Sequence, residues 1–172
     1  MKTKSLILSL SLVMSFAAPA MAADNPLYLG LKGGKMMVDV SEFDDTSTAG
    51  IVLGYKLLDK QGGSLAIEGE YTNSSTADIN VLNVTGQWDI DTWAVYAAYR
   101  TPGNLYLKAK AGVLHEKINA SSVGASISGS DTGLSAGIGA GWRVGKKAAL
   151  EFEYTVIEQD VNFVSLGVII NF

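Results

Sequence analysis

The sequence predicts an all-β fold, an eight-stranded antiparallel up-and-down transmembrane β-barrel. Between residues 27 and 172, eight segments alternate apolar residues with polar or small ones, which is the period of a β-strand with two unlike faces. Longer polar loops alternate with tight turns between these segments. After residue 22, no apolar run reaches the roughly 20 residues that a membrane-spanning helix needs. A chain of this kind would therefore cross a membrane as strands.

The final segment, residues 161–172, shows the alternation most clearly. Every second residue is apolar, and the last is aromatic: Val164, Leu166, Val168, Ile170 and Phe172. An exposed apolar strand of this kind is an aggregation hazard in water. In a closed barrel surrounded by lipid it is an ordinary ending.

The first four segments each present one apolar face. A polar loop is predicted at 39–47 and another at 76–85, while the glycines of residues 58–63 suit a tight turn. The segments are Leu27–Val38 (apolar face Leu27, Leu29, Leu31), Thr48–Leu57 (Ile51, Leu53, Tyr55), Ser64–Ser75 (Leu65, Ile67, Tyr71) and Gly86–Arg100 (Trp93, Val95, Tyr99).

The last four segments repeat the pattern. Tight turns are predicted at 101–104, with Pro and Gly, and at 145–147, and a Ser- and Gly-rich loop is predicted at 119–131. A short loop at 158–160 precedes the last segment. The segments are Leu105–Ile118 (apolar face Leu105, Leu107, Val113), Thr132–Val144 (Leu134, Ile138, Trp142), Ala148–Ile157 (Leu150, Phe152, Tyr154) and Val161–Phe172.

The alternating segments and the terminal Phe172 resemble the bacterial outer-membrane β-barrel family, whose last strand typically ends in Phe. The chain is similar to the small OmpA/OmpX and opacity-type members, often called porin family proteins. The resemblance implies the outer membrane of a Gram-negative bacterium, a monomer, contact with lipid and lipopolysaccharide, and recognition of Phe172 by the barrel assembly machinery. The sequence departs from full-length OmpA by ending with the barrel, and we expect no peptidoglycan-binding domain.

The first 22 residues have the composition of a secretory signal peptide. Lys2 and Lys4 precede an apolar run from Leu6 to Ala18, and Ala20-Met21-Ala22 fits the A-x-A cleavage pattern. The run is too short for a spanning helix, which disfavours the alternative of an uncleaved anchor. We therefore expect a signal peptide at 1–22 and one barrel domain at 23–172.

Composition excludes several classes of function. The chain has no cysteine, so disulfide frameworks, thiolate metal sites and lipoprotein anchors have no attachment point. Its formal net charge of −4 provides no basic field for nucleic acid. We expect no cofactor.

Charge placement predicts which face meets lipid. Because a charge facing lipid at the bilayer midplane costs about 2–4 kcal/mol, charges should line the lumen, where they can pair across strands. A water-soluble barrel, the alternative, would instead put its apolar face inside. Lys35 is the main charge on the apolar face, near a strand end. The ten predicted lumen charges are Lys32, Lys56, Glu68, Glu70, Arg100, Lys108, Lys110, Arg143, Glu151 and Glu153, with the Glu68/Glu70 and Lys108/Lys110 pairs facing each other.

Aromatic residues predict the two membrane interfaces, where such barrels carry aromatic girdles. We expect one group near the turn end and a second group towards the loops. The first group is Tyr55, Tyr99, Trp142 and Phe172, and the second is Tyr71, Trp93 and Tyr154.

No catalytic or metal site is predicted. His115 is followed by Glu116 and Lys117, so the His-x-Ser pair of the outer-membrane lipid A deacylases is missing. The acidic stretch Asp39–Asp45 lacks the spacing of a calcium loop. We expect a structural or adhesin-like role carried by the loops. A small-conductance pore is the alternative, and a lipid-modifying enzyme is the weaker one.

Overall fold

A computed structural model describes residues 25–38, 45–81, 84–122, 125–158 and 161–172. All the regular structure in these ranges is β-strand. The strands are β1 (Leu27–Val38), β2 (Thr46–Lys60), β3 (Gly63–Ser74), β4 (Ala77–Val81), β5 (Val84–Arg100), β6 (Leu105–Ser122), β7 (Ala125–Val144), β8 (Ala148–Glu158) and β9 (Val161–Asn171).

The strands close into a ring in which every pairing is antiparallel. β1 pairs with β9 along the seam, and β3 pairs with β5 on the opposite side. The short strand β4 follows β3 after a two-residue break and pairs with the first residues of β5, from Val84 to Trp88. β3 and β4 therefore count as one position in the ring, and the predicted eight-stranded up-and-down barrel is confirmed.

No helix long and apolar enough to span a membrane occurs among the described residues.

The two ends of the barrel differ. The turns after β2, β5 and β7 are tight, and a glycine with positive φ lies in or directly after each of them: Gly63, Gly103 and Gly145. Both termini of the barrel lie at this end, because Tyr28 pairs with Asn171. We call it the turn end, and we call the opposite end, which carries the other connections, the loop end.

Strand boundaries at the loop end differ from the sequence prediction. The predicted loop at 119–131 is mostly strand: β6 continues to Ser122, β7 begins at Ala125, and these two residues pair. The predicted loop at 76–85 contains β4 and the start of β5. Side chains 126–133 are exposed on both faces, so backbone pairing continues here without the alternation that marks a strand in the sequence.

Other boundaries shift by a few residues. β2 begins at Thr46 and runs to Lys60, which shortens the predicted turn at 58–63 to two residues. The predicted signal peptide at 1–22 lies outside the described residues, as do positions 39–44 and 159–160 of the predicted loops.

The two faces of the barrel wall are chemically opposite. Outward side chains are aliphatic or aromatic and widely exposed: Leu134 is 86% exposed and Leu107 is 65% exposed. Inward positions hold buried charges, such as Glu68 at 0%. Burial of polar groups inside an apolar exterior is the arrangement expected of a barrel in lipid rather than in water.

Labelling at single cysteines tests this orientation, since the natural chain has no cysteine to remove. A nitroxide on Leu107→Cys in lipid vesicles should be accessible to oxygen and shielded from a water-soluble nickel chelate, because Leu107 faces outward. Ala98→Cys is the matched control, since Ala98 is fully buried on the inner face and should resist labelling in the folded barrel. Chelate access at residue 107 would contradict the assignment.

Candidate functional site

The lumen near the turn end is filled by ionised side chains from five strands. Antiparallel register sets their depth: Glu68 lies opposite Tyr96 and Arg100 lies opposite Lys108. On the far wall, Glu151 and Glu153 lie opposite Gly141 and Gly139, which leave room across the lumen. Residues spaced by two on each strand thus point into one compact volume.

Arg100 joins the two walls at the turn-end side of this volume. Its Nε donates to Glu151 Oε1 at 2.6 Å, and its Nη2 donates to Glu68 Oε1 at 2.6 Å. Its Nη1 donates to the Tyr28 hydroxyl at 2.9 Å, and Tyr28 donates in turn to Glu68 at 2.6 Å. One guanidinium thereby bridges two carboxylates and a phenol, which its planar set of donors suits.

Lys108 occupies the centre of the volume. Its Nζ lies 2.9 Å from Glu68 Oε2, 3.0 Å from Glu151 Oε2 and 2.5 Å from Glu153 Oε1. The ammonium thus contacts three carboxylates, one for each of its three donors. The predicted facing of Glu68 and Lys108 corresponds to a direct contact.

Lys110 and Lys32 complete the volume on its loop-end side. Lys110 Nζ lies 2.6 Å from Glu70 Oε1 and 2.9 Å from Glu153 Oε2. Lys32 pairs with the other oxygen of Glu70. Every carboxylate in this lumen network is shared between cations or between a cation and a tyrosine.

The lumen network is electrically balanced. Its four cations are Lys32, Arg100, Lys108 and Lys110, and its four anions are Glu68, Glu70, Glu151 and Glu153; all eight are among the ten predicted lumen charges. The other two lie at the turn-end rim. Lys56 pairs with Asp59 at 3.4 Å, and Arg143 packs over the Tyr106 ring at 4.4 Å.

Two tyrosines belong to the network and were not predicted. Tyr28 bonds Glu68, and Tyr106 donates to Glu151 Oε1 at 2.6 Å. Each ring lies over a glycine, Gly54 or Gly141, where a Cβ would collide with it. In the alternating pattern, both tyrosines occupy lumen-facing positions, as the predicted charges do. That position in the pattern is the sequence signal that could have identified them.

A second zone of the lumen, on the loop-end side, is mainly apolar, and Glu116 is the buried carboxylate within it. A hydroxyl layer separates the two zones: Thr72 bonds Thr92 at 2.7 Å, and Tyr96 bonds Ser135 at 2.9 Å. Lys110 Nζ also lies 4.4 Å from the centroid of the Tyr96 ring. On the loop-end side of the hydroxyl layer packs a buried cluster, the apolar plug, formed by Met36, Trp88, Ile90, Leu114, Ile157, Val161 and Phe163.

The predicted interface aromatics lie on the outer face in two groups. Register places Tyr55 opposite Leu27 and Trp142 opposite Leu105, close to the turn end. Tyr99 lies on the same side and donates to the Gly62 carbonyl at 2.6 Å. Phe172 follows β9 at that end and is partly exposed.

The second group of aromatics lies towards the loop end. Tyr71 and Trp93 are paired in register, and their ring centroids are 4.4 Å apart. Trp93 is 63% exposed on the outer face, and Tyr154 is 38% exposed. Their role as a membrane girdle stays a prediction.

His115 does not face the lumen. It lies on the outer face beside Trp93, and its Nδ1 is 2.8 Å from Thr132 Oγ1. Within the described ranges, no group of three His, Asp or Glu side chains is arranged to hold a metal ion. Of the acidic stretch at 39–45, only Asp45 is described, and its side chain is exposed.

The two ends carry opposite charge. The turn end carries Lys56, Lys60, Arg143, Lys146 and Lys147 against Asp59. The loop-end connections (39–45, 75–83, 119–131 and 158–160) contain no Lys or Arg. Their carboxylates are Asp39, Glu42, Asp44, Asp45, Asp78, Asp131, Glu158 and Asp160.

These features define an integral membrane barrel of the bacterial outer-membrane class: a closed eight-stranded wall, an apolar exterior and short turns at the end that holds the termini. The model of the outer membrane protein beta-barrel domain matches residues 8–172. The chain belongs to this family, as its sequence predicted, and the family places it in the outer membrane.

Known structures share the fold at low sequence identity. Neisserial surface protein A matches with a TM-score of 0.66 and 16% identity, covering 86% of this chain and 97% of that one. The attachment invasion locus protein Ail of Yersinia pestis, in complex with the heparin analogue sucrose octasulfate, matches with a TM-score of 0.58 and 18% identity, covering 85% and 96%. The outer membrane enzyme PagL matches with a TM-score of 0.51 and 13% identity, covering 84% and 99%. No curated protein sequence matches the chain significantly.

Removing one charge from the lumen network should be strongly destabilising. Glu68→Ala leaves Arg100 and Lys108 short of a partner in a site without water access, and we expect a loss of about 3–5 kcal/mol in the free energy of unfolding. Urea unfolding in lipid vesicles, followed by tryptophan fluorescence, measures it.

The matched control is Asp59→Ala, which removes a carboxylate of an ion pair in which Asp59 is 61% exposed. Exposed pairs contribute only about 0–1 kcal/mol, so its effect should be small. Equal effects of the two substitutions would show that the lumen pairs are no more important than a surface pair.

Proposed function

We propose that this protein is a monomeric, non-enzymatic outer-membrane barrel with a sealed lumen, and that it acts through its loop end on a partner outside the cell. The observation that carries the proposal is the filled interior, a balanced ion-pair network beneath an apolar plug. A barrel that leaves no path through its wall or lumen presents only its end surfaces to other molecules.

Two different barriers lie in series along the lumen axis. In the lumen network, every ion meets a fixed partner of opposite charge, so a passing ion would have to displace a bonded one. In the apolar plug, Met36, Ile90 and Phe163 are fully buried and offer no ligand to a dehydrated ion, and Glu116 is the buried carboxylate at this level. Both features count against the alternative of a small-conductance pore.

Planar-bilayer recording tests the seal. The refolded protein should give no steady single-channel current at neutral pH, because neither zone offers a continuous water path. A known porin reconstituted in the same membrane serves as the positive control. Sustained, voltage-independent current steps from the purified barrel would contradict the sealed lumen and favour the pore.

The enzyme alternative lacks a supporting geometry. PagL shows that this fold can carry an enzyme, but the likeness at 13% identity extends to the fold alone. A nucleophile–base pair needs two side chains within hydrogen-bonding reach and a third group that orients the base. His115 contacts the Thr132 hydroxyl on the outer face, and within the described part of the chain no carboxylate bonds to its other nitrogen.

The β6–β7 hairpin projects far at the loop end, beside the β4–β5 hairpin, with which it pairs as far as Ser122 and Gly86. Seven further residues per strand separate the His115–Thr132 pair from the final Ser122–Ala125 pair. At the usual rise per residue, the hairpin reaches about 24 Å beyond the outer aromatic group. Loops held on a rigid scaffold commonly carry recognition, and Ile127 on this hairpin is 75% exposed.

The loop-end charge indicates the kind of partner. Its connections carry eight carboxylates and no Lys or Arg, and Lys117 is the one cation on the projecting part of the β6–β7 hairpin, so the end would repel a polyanion and attract a cation. Ail shares the fold and has been crystallised with a sulfated sugar analogue. For this chain we propose the opposite preference, a positively charged protein or peptide surface.

Neutralising the acidic stretch tests the preference. Cells displaying the barrel should bind a fluorescent polylysine probe. The combined variant Asp39→Asn, Glu42→Gln, Asp44→Asn and Asp45→Asn should weaken that binding several-fold. The effect should be larger at low salt, because high salt screens the attraction. Heat-modifiable gel migration confirms that the variant is folded. Asp59→Asn at the turn end is the control and should leave binding unchanged. An unaffected quadruple variant would rule out this stretch as the binding surface.

Export and assembly complete the proposal. Residues 1–22 would direct secretion and be removed, and Phe172 would be read by the assembly machinery, as the resemblance implies. The seam pairing of β1 with β9, the strand that precedes Phe172, supports a role for the last strand in closing the barrel.

A further inference from the structure

A cavity opens at the turn end, directly below the lumen network. Its volume is about 230 Å³. Its floor is formed by Tyr28, Arg100 and Tyr106, and its wall carries the cations Lys56, Lys60 and Arg143. Asp59 is the one acidic residue among the described residues that line it. This turn-end cavity is therefore a concave polar pocket with a positive wall.

The floor of the cavity is closed to a ligand. All three guanidinium nitrogens of Arg100 are engaged, by Glu151, Glu68 and the Tyr28 hydroxyl. Tyr106 donates its hydroxyl to Glu151. The positive charge of the floor is thus balanced from within the barrel, and only the wall cations can serve a molecule that enters from the turn end.

Lys56 and Arg143 have defined contacts, and all three wall cations are weakly compensated. Among the described residues, Lys56 pairs with Asp59 alone, at 3.4 Å, and that carboxylate is 61% exposed to solvent. The guanidinium of Arg143 packs over the Tyr106 ring at 4.4 Å and donates to the Gly103 carbonyl. Lys60 is exposed at the rim. Three cations against one exposed carboxylate leave the wall with a net positive charge.

We propose that the turn-end cavity is a binding site for a phosphate-type oxyanion, held by Lys56, Lys60 and Arg143. A stacked arginine fits such a group because its planar donors match two oxygens at once, and lysines supply point charges around it. Ser64 and Asn171 line the same cavity and can add neutral polar contacts. The volume lies below the range of pockets for drug-sized ligands, which favours a single small anionic group.

The same chemistry has two sources at this end of the barrel. One is a free phosphate, and the other is the phosphate of a phospholipid headgroup at the membrane surface that surrounds the turn end. A second groove beside the cavity carries Lys146 and Lys147 with Phe172. These two lysines share the end and the charge but do not line the cavity, so they provide a matched comparison.

Nuclear magnetic resonance of the ¹⁵N-labelled protein folded in dodecyl maltoside micelles tests the site, because this detergent contains no phosphate. Inorganic phosphate is added at constant ionic strength against chloride. We expect saturable shifts of the amides of Gly63, Ser64 and Arg143. Lys56→Gln/Lys60→Gln should weaken binding about tenfold, since two charge contacts of modest strength are lost. Lys146→Gln/Lys147→Gln, with the same change in charge, should leave it nearly unchanged.

Short-chain phosphatidylglycerol, added to the same micelles, separates the two sources. Saturable shifts at the same amides, with displacement of phosphate, support the lipid headgroup as the ligand; a response to phosphate alone supports the free anion. Non-saturable shifts, shifts reproduced by chloride, or equal weakening by the two double variants would overturn the proposal. Heat-modifiable migration verifies that each variant is folded, so loss of binding is not confused with loss of the barrel.

Discussion

Pairing of opposite charges inside a narrow, closed cylinder is the constraint on which this structure depends. Eight strands enclose an interior that side chains just fill. In that space a lone ion would cost several kcal/mol, whereas four cations and four carboxylates in mutual contact have their charge compensated on every side. The small inward residues follow from this need, since Gly54 and Gly141 accommodate the rings of Tyr28 and Tyr106 and bring both phenols to the carboxylates.

The interior is built in zones along the axis, and each zone has its own role. The lumen network holds the walls together through directional bonds near the turn end. The apolar plug contributes burial of the usual hydrophobic kind, with Phe163 and Met36 fully enclosed. Between them, the Thr72–Thr92 and Tyr96–Ser135 bonds satisfy polar groups at the boundary. The apolar exterior needs no complementary packing within the protein, because lipid surrounds it.

The sequence predicted on which face of the barrel wall a residue lies, but it did not predict how far along the barrel axis it lies. Alternation alone places Glu68 and Lys108 inside, and the structure brings them into contact. It cannot distinguish them from Lys56 and Arg143, which have the same parity but lie at the rim, because depth depends on inter-strand register. The hairpin at 119–131 was predicted as a loop because both of its faces are exposed to solvent. Its strands are paired, but the sequence there lacks the alternation of apolar and polar residues that indicates a strand. Inward apolar residues such as Ile90 and Phe163 were likewise assigned no role, since nothing in the pattern shows that they meet.

The distribution of the lumen charges around the wall has a consequence for how the molecule is made. Lys32 comes from β1, Glu68 from β3, Arg100 from β5, Lys108 from β6 and Glu151 from β8, so the partners come from five of the eight strand positions around the wall. In a partly formed sheet, these charged side chains would be exposed to hydrocarbon before most of their oppositely charged partners are in place. Barrel closure and membrane insertion must therefore be coupled, and the open sheet must stay in water or bound to a chaperone until its edge strands pair.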